Sequence, residues 1–222
     1  SFLPQLPLRA EDSHKGSFGS AFLIGGSRGM TGAIAIAGLS CMKSGAGLTK
    51  LGVPDRCLET VAGFSPNFMT QGLPDNSQGQ LAASPEELLA ASEKSTCVAI
   101  GPGLGQSEIL RSAIAGTLRQ LEIPAVIDAD GLNCLAAFDR WPSQKHWSEC
   151  LGTDAPVILT PHPGEWYRLS GVKPRDRDHQ IETAHRLASK NLIIVLKGHR
   201  TTITNGRSMF TNETGTPAMA IG

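Results

Sequence analysis

The sequence predicts an α/β fold with a mostly parallel central sheet and helices on both faces. Two observations predict it. Short, near-continuous apolar runs such as "PAVIDAD" (124–130), "APVILTP" (155–161) and "LIIVLKG" (192–198) alternate with amphipathic stretches. Strands buried on both faces read this way, whereas a half-exposed sheet shows alternation. The chain also holds 25 glycines against seven Phe and one Tyr. In α/β proteins glycines collect where the chain leaves a strand, because they permit positive φ and close backbone approach.

Taken in order, "SAFLIGG" (20–26) reads as a buried strand closed by a glycine pair. "TGAIAIAGLSCMKSGAG" (31–47) reads as a helix stopped by "SGAG". A second strand spans 48–54 and ends at Pro54, and a short helix is expected over 55–64. Residues 65–83, rich in Pro, Asn, Gln and Gly, read as a surface loop or edge hairpin. "SPEELLAASEK" (84–94) places Ser84 at an N-cap, Pro85 at N1 and acids in the first turn, so a helix starts there. Alternation then becomes regular, with a strand at "TCVAIG" (96–101) and a helix over 107–121. A strand at 124–130, a helix at 131–138, a strand at 155–161, a helix at 179–191 and a strand at 192–198 follow. "TTITNG" and "RSMFTNE" form a hairpin turning on Asn205-Gly206. No linker splits the chain and no segment repeats, so residues 1–222 are expected to form one domain.

Lys plus Arg and Asp plus Glu both number 20, for a formal net charge of zero. Bulk charge therefore gives no reason to expect nucleic acid or a membrane surface as partner. The five cysteines, Cys41, Cys57, Cys97, Cys134 and Cys150, contain no C-x-x-C pair and several lie among apolar residues. Buried free thiols in a reducing compartment are expected. No apolar run reaches the roughly 18 residues of a membrane helix, and the N-terminus lacks a signal pattern. The expectation is a soluble, cytoplasmic protein.

Ligands of open α/β sheets bind outside the carboxyl ends of the strands, and four strand ends carry polar or glycine-rich sequence. In "IGPGLGQS" (100–107), Gly101, Gly103 and Gly105 strip side chains from a loop opening a helix, where free N–H groups can face an anion or simply make a tight turn. "VIDADGLN" (126–133) presents Asp128 and Asp130 for Mg²⁺ contact through water, a ribose contact, or helix capping. "ILTPHPGEW" (158–166) clamps His162 between two prolines, and Glu165 is available to a metal or to the helix start. "IVLKGHRTTI" (194–203) ends a strand at Lys197-Gly198, a pairing suited to phosphate oxygens.

As a set these motifs resemble the ADP- or ATP-dependent NAD(P)H-hydrate dehydratases, repair enzymes of the ribokinase-like superfamily. The matching stretches are "SHKGSFGSAFLIGGSRGMTGA" (13–33), "SGAGL" (44–48), "IGPGLG" (100–105), "DADGLN" (128–133), "LTPHPGE" (159–165), "LKGHRT" (196–201) and "NETGTPAMAIG" (212–222). They keep the family's order along nearly the whole chain. The resemblance implies a ribokinase-like fold and a reaction in which a nucleotide phosphorylates the hydroxyl of hydrated NADH or NADPH. Phosphate then leaves, and the reduced dinucleotide is regenerated. Phosphate is the better leaving group, and the protein need only hold donor and hydroxyl in line.

Position by position, the resemblance implies that Ala33, Gly103 and His162 contact the hydrated dinucleotide. Lys197, Gly198, His199, Arg200 and Thr201 would line the phosphate and ribose side of ADP or ATP. Asn212, Thr214 and Gly215 would shape the approach to the reacting phosphate, and Lys15 and Gly16 are placed near the site. Mg²⁺ is implied with the nucleotide. No dedicated metal site is expected, with Asp128 and Glu165 only candidates through water. In the family, the stretch at 212–222 runs into a glycine-rich segment whose Asp is the base and whose helix start forms the anion hole. The expected base, most of the anion hole and the C-terminal part of the fold thus lie beyond Gly222. A homo-oligomer and a functional link to an NAD(P)H-hydrate epimerase are also implied. The rival readings are a small-molecule kinase of the same superfamily, acting on a vitamin precursor or sugar, and a non-catalytic nucleotide-binding module.

Overall fold

In the computed structural model, residues 8–137 and 155–216 are described. Cys150, Phe138 and the motif residues 217–222 lie outside them. Nine strands form one sheet among the described residues: β1 Ser20–Ile24, β2 Leu48–Pro54, β3 Met69–Leu73, β4 Cys97–Ile100, β5 Ala125–Ile127, β6 Val157–Leu159, β7 Leu192–Leu196, β8 Thr202–Thr204 and β9 Met209–Thr211. Their spatial order is β3-β2-β1-β4-β5-β6-β7-β8-β9. β3 through β7 in this order are parallel, and β8 and β9 add antiparallel. The order reverses between β1 and β4, so their carboxyl ends flank a topological switch point, where such sheets open a crevice.

The helices are α1 Thr31–Lys43, α2 Leu58–Ala62, α3 Pro85–Ser92, α4 Glu108–Gln120, α5 Asp130–Ala136, α6 Pro163–Ser170 and α7 Arg177–Leu187. The expected start of α3 is confirmed in detail. Ser84 Oγ accepts from Glu87 N at 3.2 Å, and Glu87 Oε2 accepts from Ser84 N at 2.8 Å, a reciprocal capping box. The hairpin turns where expected: Asn205 Oδ1 accepts from Arg207 N and Ser208 N, and Gly206 takes φ 78°.

Two expectations are corrected, and one helix is added to the expected order. Residues 69–73 are neither loop nor hairpin but a parallel edge strand beside β2. Its "MTQGL" sequence lacks the apolar run of a central strand because only Leu73 is buried. The helix placed at 179–191 begins at Arg177, with Asp176 Oδ1 accepting from His179 N, and ends at Leu187. A separate helix, α6, occupies 163–170 and stops at Gly171 in the left-handed conformation.

Apolar residues divide by strand parity. Phe22 and Ile24 face one side with Val98, Ile100, Ile127, Leu159 and Ile194, in a core shared with Leu88, Leu110, Ile114 and Trp166 of α3, α4 and α6. Ala21 and Leu23 face the other side with Leu51 and Val53, under Ile34 of α1 and Val61 of α2. On that second face a row of register partners, Ala99, Val126, Ile158 and Ile193, is only half-buried. It continues through Val195, Ile203 and Phe210. Ile203 is exposed.

Cys41, Cys57, Cys97 and Cys134 are free thiols. Burial pushes Cys134 from an ordinary 9.0 up to about 11. Between these values the unfolded thiol ionises while the folded one does not, so this residue's contribution to stability falls as pH rises through that window. Cys134 is therefore expected to resist iodoacetamide in the native protein at pH 8 and to react on unfolding. Peptide mass spectrometry before and after denaturant checks this; fast native labelling would contradict the burial.

Candidate active site

Parallel strands deliver five turns to the carboxyl edge of the sheet, and the backbone stitches them together. Gly26 N donates to Pro102 O at 2.8 Å and Gly101 N to Ile24 O at 3.1 Å, joining the turns after β1 and β4. Ser27 Oγ, buried, donates to Gly103 O at 2.8 Å. Asp128 N donates to Ile100 O, Thr160 N to Ile127 O, and Lys197 N to Pro161 O, each stepping one strand along the rim.

The glycines of "IGPGLG" serve close approach. Gly101 takes φ 140°, and any Cβ there would be driven into the carbonyl oxygen of Asp128. Gly103 takes φ 69°, and a Cβ would stand 2.7 Å from Met30 O and 3.2 Å from Ala33 Cβ. Ala33 and Gly103 therefore meet, with the start of α1 against the glycine turn. The free N–H groups expected in this turn are largely used internally. Leu104 N donates to Gly101 O, and Gly105 N to Asp130 Oδ2 at 2.8 Å. The open donors lie instead at α1, whose N-cap Met30 supplies no side-chain cap and whose Gly32 faces open space. A thirteen-residue helix presents uncapped amides and the positive end of its dipole there.

Asp130 does not cap its own helix. It ties down the Gly105 amide and accepts from Asn133 Nδ2 at 3.3 Å. Ala129 between the two acids takes φ 49° and ψ −121°, a conformation that costs a non-glycine residue on the order of 1–3 kcal/mol. Asp128 is thereby turned toward Lys197, whose Nζ donates to Asp128 Oδ1 at 2.6 Å and lies 4.0 Å from Glu165 Oε2. Lys197 keeps a 39% exposed side chain. It is a cation held in place from below by two carboxylates, with its outer side in solvent.

His162 is the N-cap of α6. Its Nδ1 accepts from Gly164 N at 2.9 Å and Glu165 N at 3.2 Å, and Glu165 Oε2 accepts from His162 N at 2.8 Å. The proton therefore sits on Nε2, which points to a half-exposed edge 3.4 Å from Glu165 Oε1. Of the two roles open to Glu165, capping is the one the structure describes, made through Oε2 of the buried carboxylate. Among the described residues no group of three His, Cys, Asp or Glu side chains could hold a metal ion.

The turn after β7 bends through Gly198 at φ 140° and Arg200 at φ 58°. His199 and Arg200 are exposed, and Thr201 Oγ1 donates to Gly198 O. Asn212 N donates to Thr201 O at 2.8 Å, bringing the 212–215 turn alongside. There Asn212 Oδ1 accepts from Thr214 N and Thr214 Oγ1, and Gly215 takes φ 114°. All the site positions drawn from the resemblance after residue 30 thus gather on one rim. Lys15 and Gly16 do not. Their 3-10 turn precedes β1 and packs against Gly47 at the start of β2, at the opposite end of the sheet.

One residue that sequence reading missed organises the rim. Arg177 Nη1 donates to Lys197 O at 3.2 Å, and its Nη2 donates to Leu196 O at 3.0 Å and Arg200 O at 3.4 Å. Burial lowers its pKa from the usual arginine range. Its charge is spent on backbone carbonyls, which fixes the turn carrying Lys197 and Gly198. In "KPRDRD" (173–178) nothing singles it out from its charged neighbours. Arg177→Ala is expected to cost about 2 kcal/mol, since hydrogen bonds to charged groups contribute roughly 1.5–3 kcal/mol and exposed carbonyls can turn to water. It should also make the 198–201 turn a protease target. Denaturant melts and limited proteolysis check this; a variant with unchanged stability and cleavage would show the clamp to be idle.

The parallel sheet, its switch point and the stitched rim define a ribokinase-like α/β protein. More narrowly, the chain belongs to the NAD(P)H-hydrate dehydratase family, whose model matches residues 21–222. It is 34% identical over 222 residues to the ADP-dependent (S)-NAD(P)H-hydrate dehydratase of Bacillus subtilis, covering 98% of this chain and 72% of that one. The solved structure of the Bacillus subtilis ADP/ATP-dependent NAD(P)H-hydrate dehydratase, co-crystallised with ATP/Mg²⁺, superposes with a TM-score of 0.74 at 32% identity. That match covers 98% of this chain and 72% of that one. The bifunctional NAD(P)H-hydrate repair enzyme Nnr of Moorella thermoacetica is 36% identical over 221 residues, covering 97% of this chain. The chain spans only 40% of that relative's length. No described helix is long and apolar enough to cross a membrane.

Proposed function

We propose that the gene product carrying this chain is a nucleotide-dependent NAD(P)H-hydrate dehydratase, acting in the cytoplasm. The hydroxyl of hydrated NADH or NADPH takes a phosphoryl group from ADP or ATP. Inorganic phosphate then departs as the ring double bond re-forms. The observation that carries this reading is Lys197, a solvent-facing cation anchored by Asp128 and Glu165 at the rim that also holds the uncapped start of α1. Such a pairing stabilises charge on a transferring phosphoryl group without reorganising during the reaction.

In this reading the amide end of α1 at Ala33, the backbone of Gly103 and the Nε2–H edge of His162 face the hydrated dinucleotide. Lys197, Gly198, His199, Arg200 and Thr201 line the nucleotide, with Asn212, Thr214 and Gly215 beside them. Mg²⁺ would be held chiefly by the nucleotide's own phosphates and neutralise their charge, with Asp128 the residue available to its water shell. Each of the three rim carboxylates has a partner, Asp128 Oδ1 in Lys197, Asp130 Oδ2 in the Gly105 amide and Glu165 Oε2 in the His162 amide. This supports assigning the base to an aspartate in the segment after Gly222, as the resemblance implies. The half-buried apolar row from Ala99 to Phe210 supports the companion proposal that this segment covers the second face of a single domain. Homo-oligomer formation and a link to an epimerase belong to the same reading, the latter in keeping with relatives named bifunctional.

The test is stoichiometric. Full-length protein, hydrated NADPH, Mg²⁺ and either nucleotide should release one inorganic phosphate for each NADPH regenerated. A stable phosphorylated alcohol, with no phosphate released, would assign the protein to the small-molecule kinases instead. Nucleotide binding without turnover of either kind would mark a binding module.

A further inference from the structure

Helices α5 and α6 enclose a groove of about 540 Å³ whose lining includes Gln106, Asn133, Ala136, Tyr167 and Arg168. It adjoins the rim. Gln106 is three residues from Gly103 in the turn after β4, so chain reach puts the groove within roughly 11 Å of that glycine. The connection is also physical: Gly105 N donates to Asp130 Oδ2, and Asn133 Nδ2 donates to Asp130 Oδ1. Arg168 Nη1 donates in turn to Asn133 Oδ1 at 2.9 Å.

The chemistry of the lining is specific. Tyr167 is the chain's one tyrosine, and it stands 45% exposed. An aromatic face stacks on a nucleobase, a guanidinium meets phosphate, and the carboxamide of Gln106 can pair with a base edge, while that of Asn133 is committed to Asp130 and Arg168. A larger groove of about 660 Å³ lined by Lys173, Arg175, His179 and Arg186 offers cations, but its one ring, the His179 imidazole, lies 3.6 Å from Asp176 Oδ2, and that carboxylate opposes an anion there.

We infer that the α5–α6 groove binds the adenylate half of the dinucleotide substrate. The inference rests on the proposed function, which sets the hydrated ring against Ala33 and Gly103. A dinucleotide must then carry its second base away along the pyrophosphate, and the groove beyond Gln106 is an adjoining recess with a matching set of groups. Tyr167 stacks on the adenine, and Arg168, oriented by Asn133, faces the phosphates. Neither touches the reacting atoms, so both govern how tightly the dinucleotide is held.

Steady-state kinetics of the full-length protein test this, with hydrated NADPH compared against hydrated reduced nicotinamide mononucleotide, which lacks the adenylate. Tyr167→Ala is expected to raise KM for hydrated NADPH about tenfold, the scale of one base–aromatic stack. Values of kcat, KM for ATP and KM for the mononucleotide hydrate should be unchanged, and Tyr167→Phe should retain the wild-type KM. Arg168→Ala should raise the same KM and no other. An active enzyme in which these variants leave KM for hydrated NADPH unchanged overturns the inference alone. So does one in which they raise KM equally for both substrates. A wild-type protein that repairs neither hydrate overturns the proposed function, and the inference with it.

Discussion

Gly101→Ala is expected to cost roughly 4 kcal/mol or more, most of what a domain with a net stability of about 5–15 kcal/mol possesses. Two penalties coincide. A φ of 140° is foreign to any residue with a side chain, and the added methyl would be driven into the Asp128 carbonyl. It would also meet Gly131 N at 3.0 Å, and both contacts are backbone, which cannot swing aside as a flexible side chain would. Relief requires parting β4 from the turn after β5, and that turn holds Asp128 against Lys197. Loss of fold and loss of site should therefore arrive together. Gly32→Ala is the control: the added methyl meets nothing within 4 Å, and the change should stay within about 1 kcal/mol of the parent. Thermal and denaturant melts of the two variants decide the matter. A Gly101→Ala protein as stable as the Gly32→Ala one would show that the rim is not packed as described.

Lys197→Ala should leave the fold nearly intact and lower kcat/KM for the nucleotide by roughly 10²–10³, the scale of losing one preorganised donor to a developing oxyanion. The substitution removes the cation and also exposes the incoming phosphates to Asp128, which would then be unpaired and repulsive. The dinucleotide, which the proposed function assigns to Ala33, Gly103 and His162, should bind with KM changed by no more than about twofold. That split is the informative part. Equal loss toward both substrates would place Lys197 in general support of the rim rather than on the phosphoryl group. Asp128→Asn sharpens the reading: it keeps the shape, frees Lys197 from a charged partner, and should cost less than the lysine change.

What the sequence disclosed and what it hid follow from the physics of each segment. β4 to β7 were readable because their apolar residues run without polar alternation, one face buried and the other half-buried, and the α3 start because Ser84, Pro85 and Glu87 each carry a positional preference. β3 was hidden because an edge strand satisfies its backbone on one side only and needs few apolar side chains. Of the two readings open for the glycine turn at 101–105, the tight turn is the one its hydrogen bonds describe. Its amides are largely committed to Ile24, Gly101 and Asp130, while the open donors belong to the start of α1, which no capping residue announces. Asp128 and Lys197 were each legible as strand-end residues, yet their pairing across 69 positions is a product of topology. Arg177 left no trace, because a clamp on carbonyls can be built from any arginine that the fold delivers.

The central claim is that loops distant in sequence form one rim where a nucleotide's phosphates are gripped opposite a hydrated nicotinamide. Its most direct measurement is the absorbance of reduced nicotinamide in a mixture of full-length protein, hydrated NADPH and Mg²⁺, followed before and after addition of ADP or ATP. The absorbance should stay flat until nucleotide is added and then rise, with the rate falling at least a hundredfold in Lys197→Ala, the scale expected for one such donor. No rise with either nucleotide, or a rise that needs none, would contradict the account.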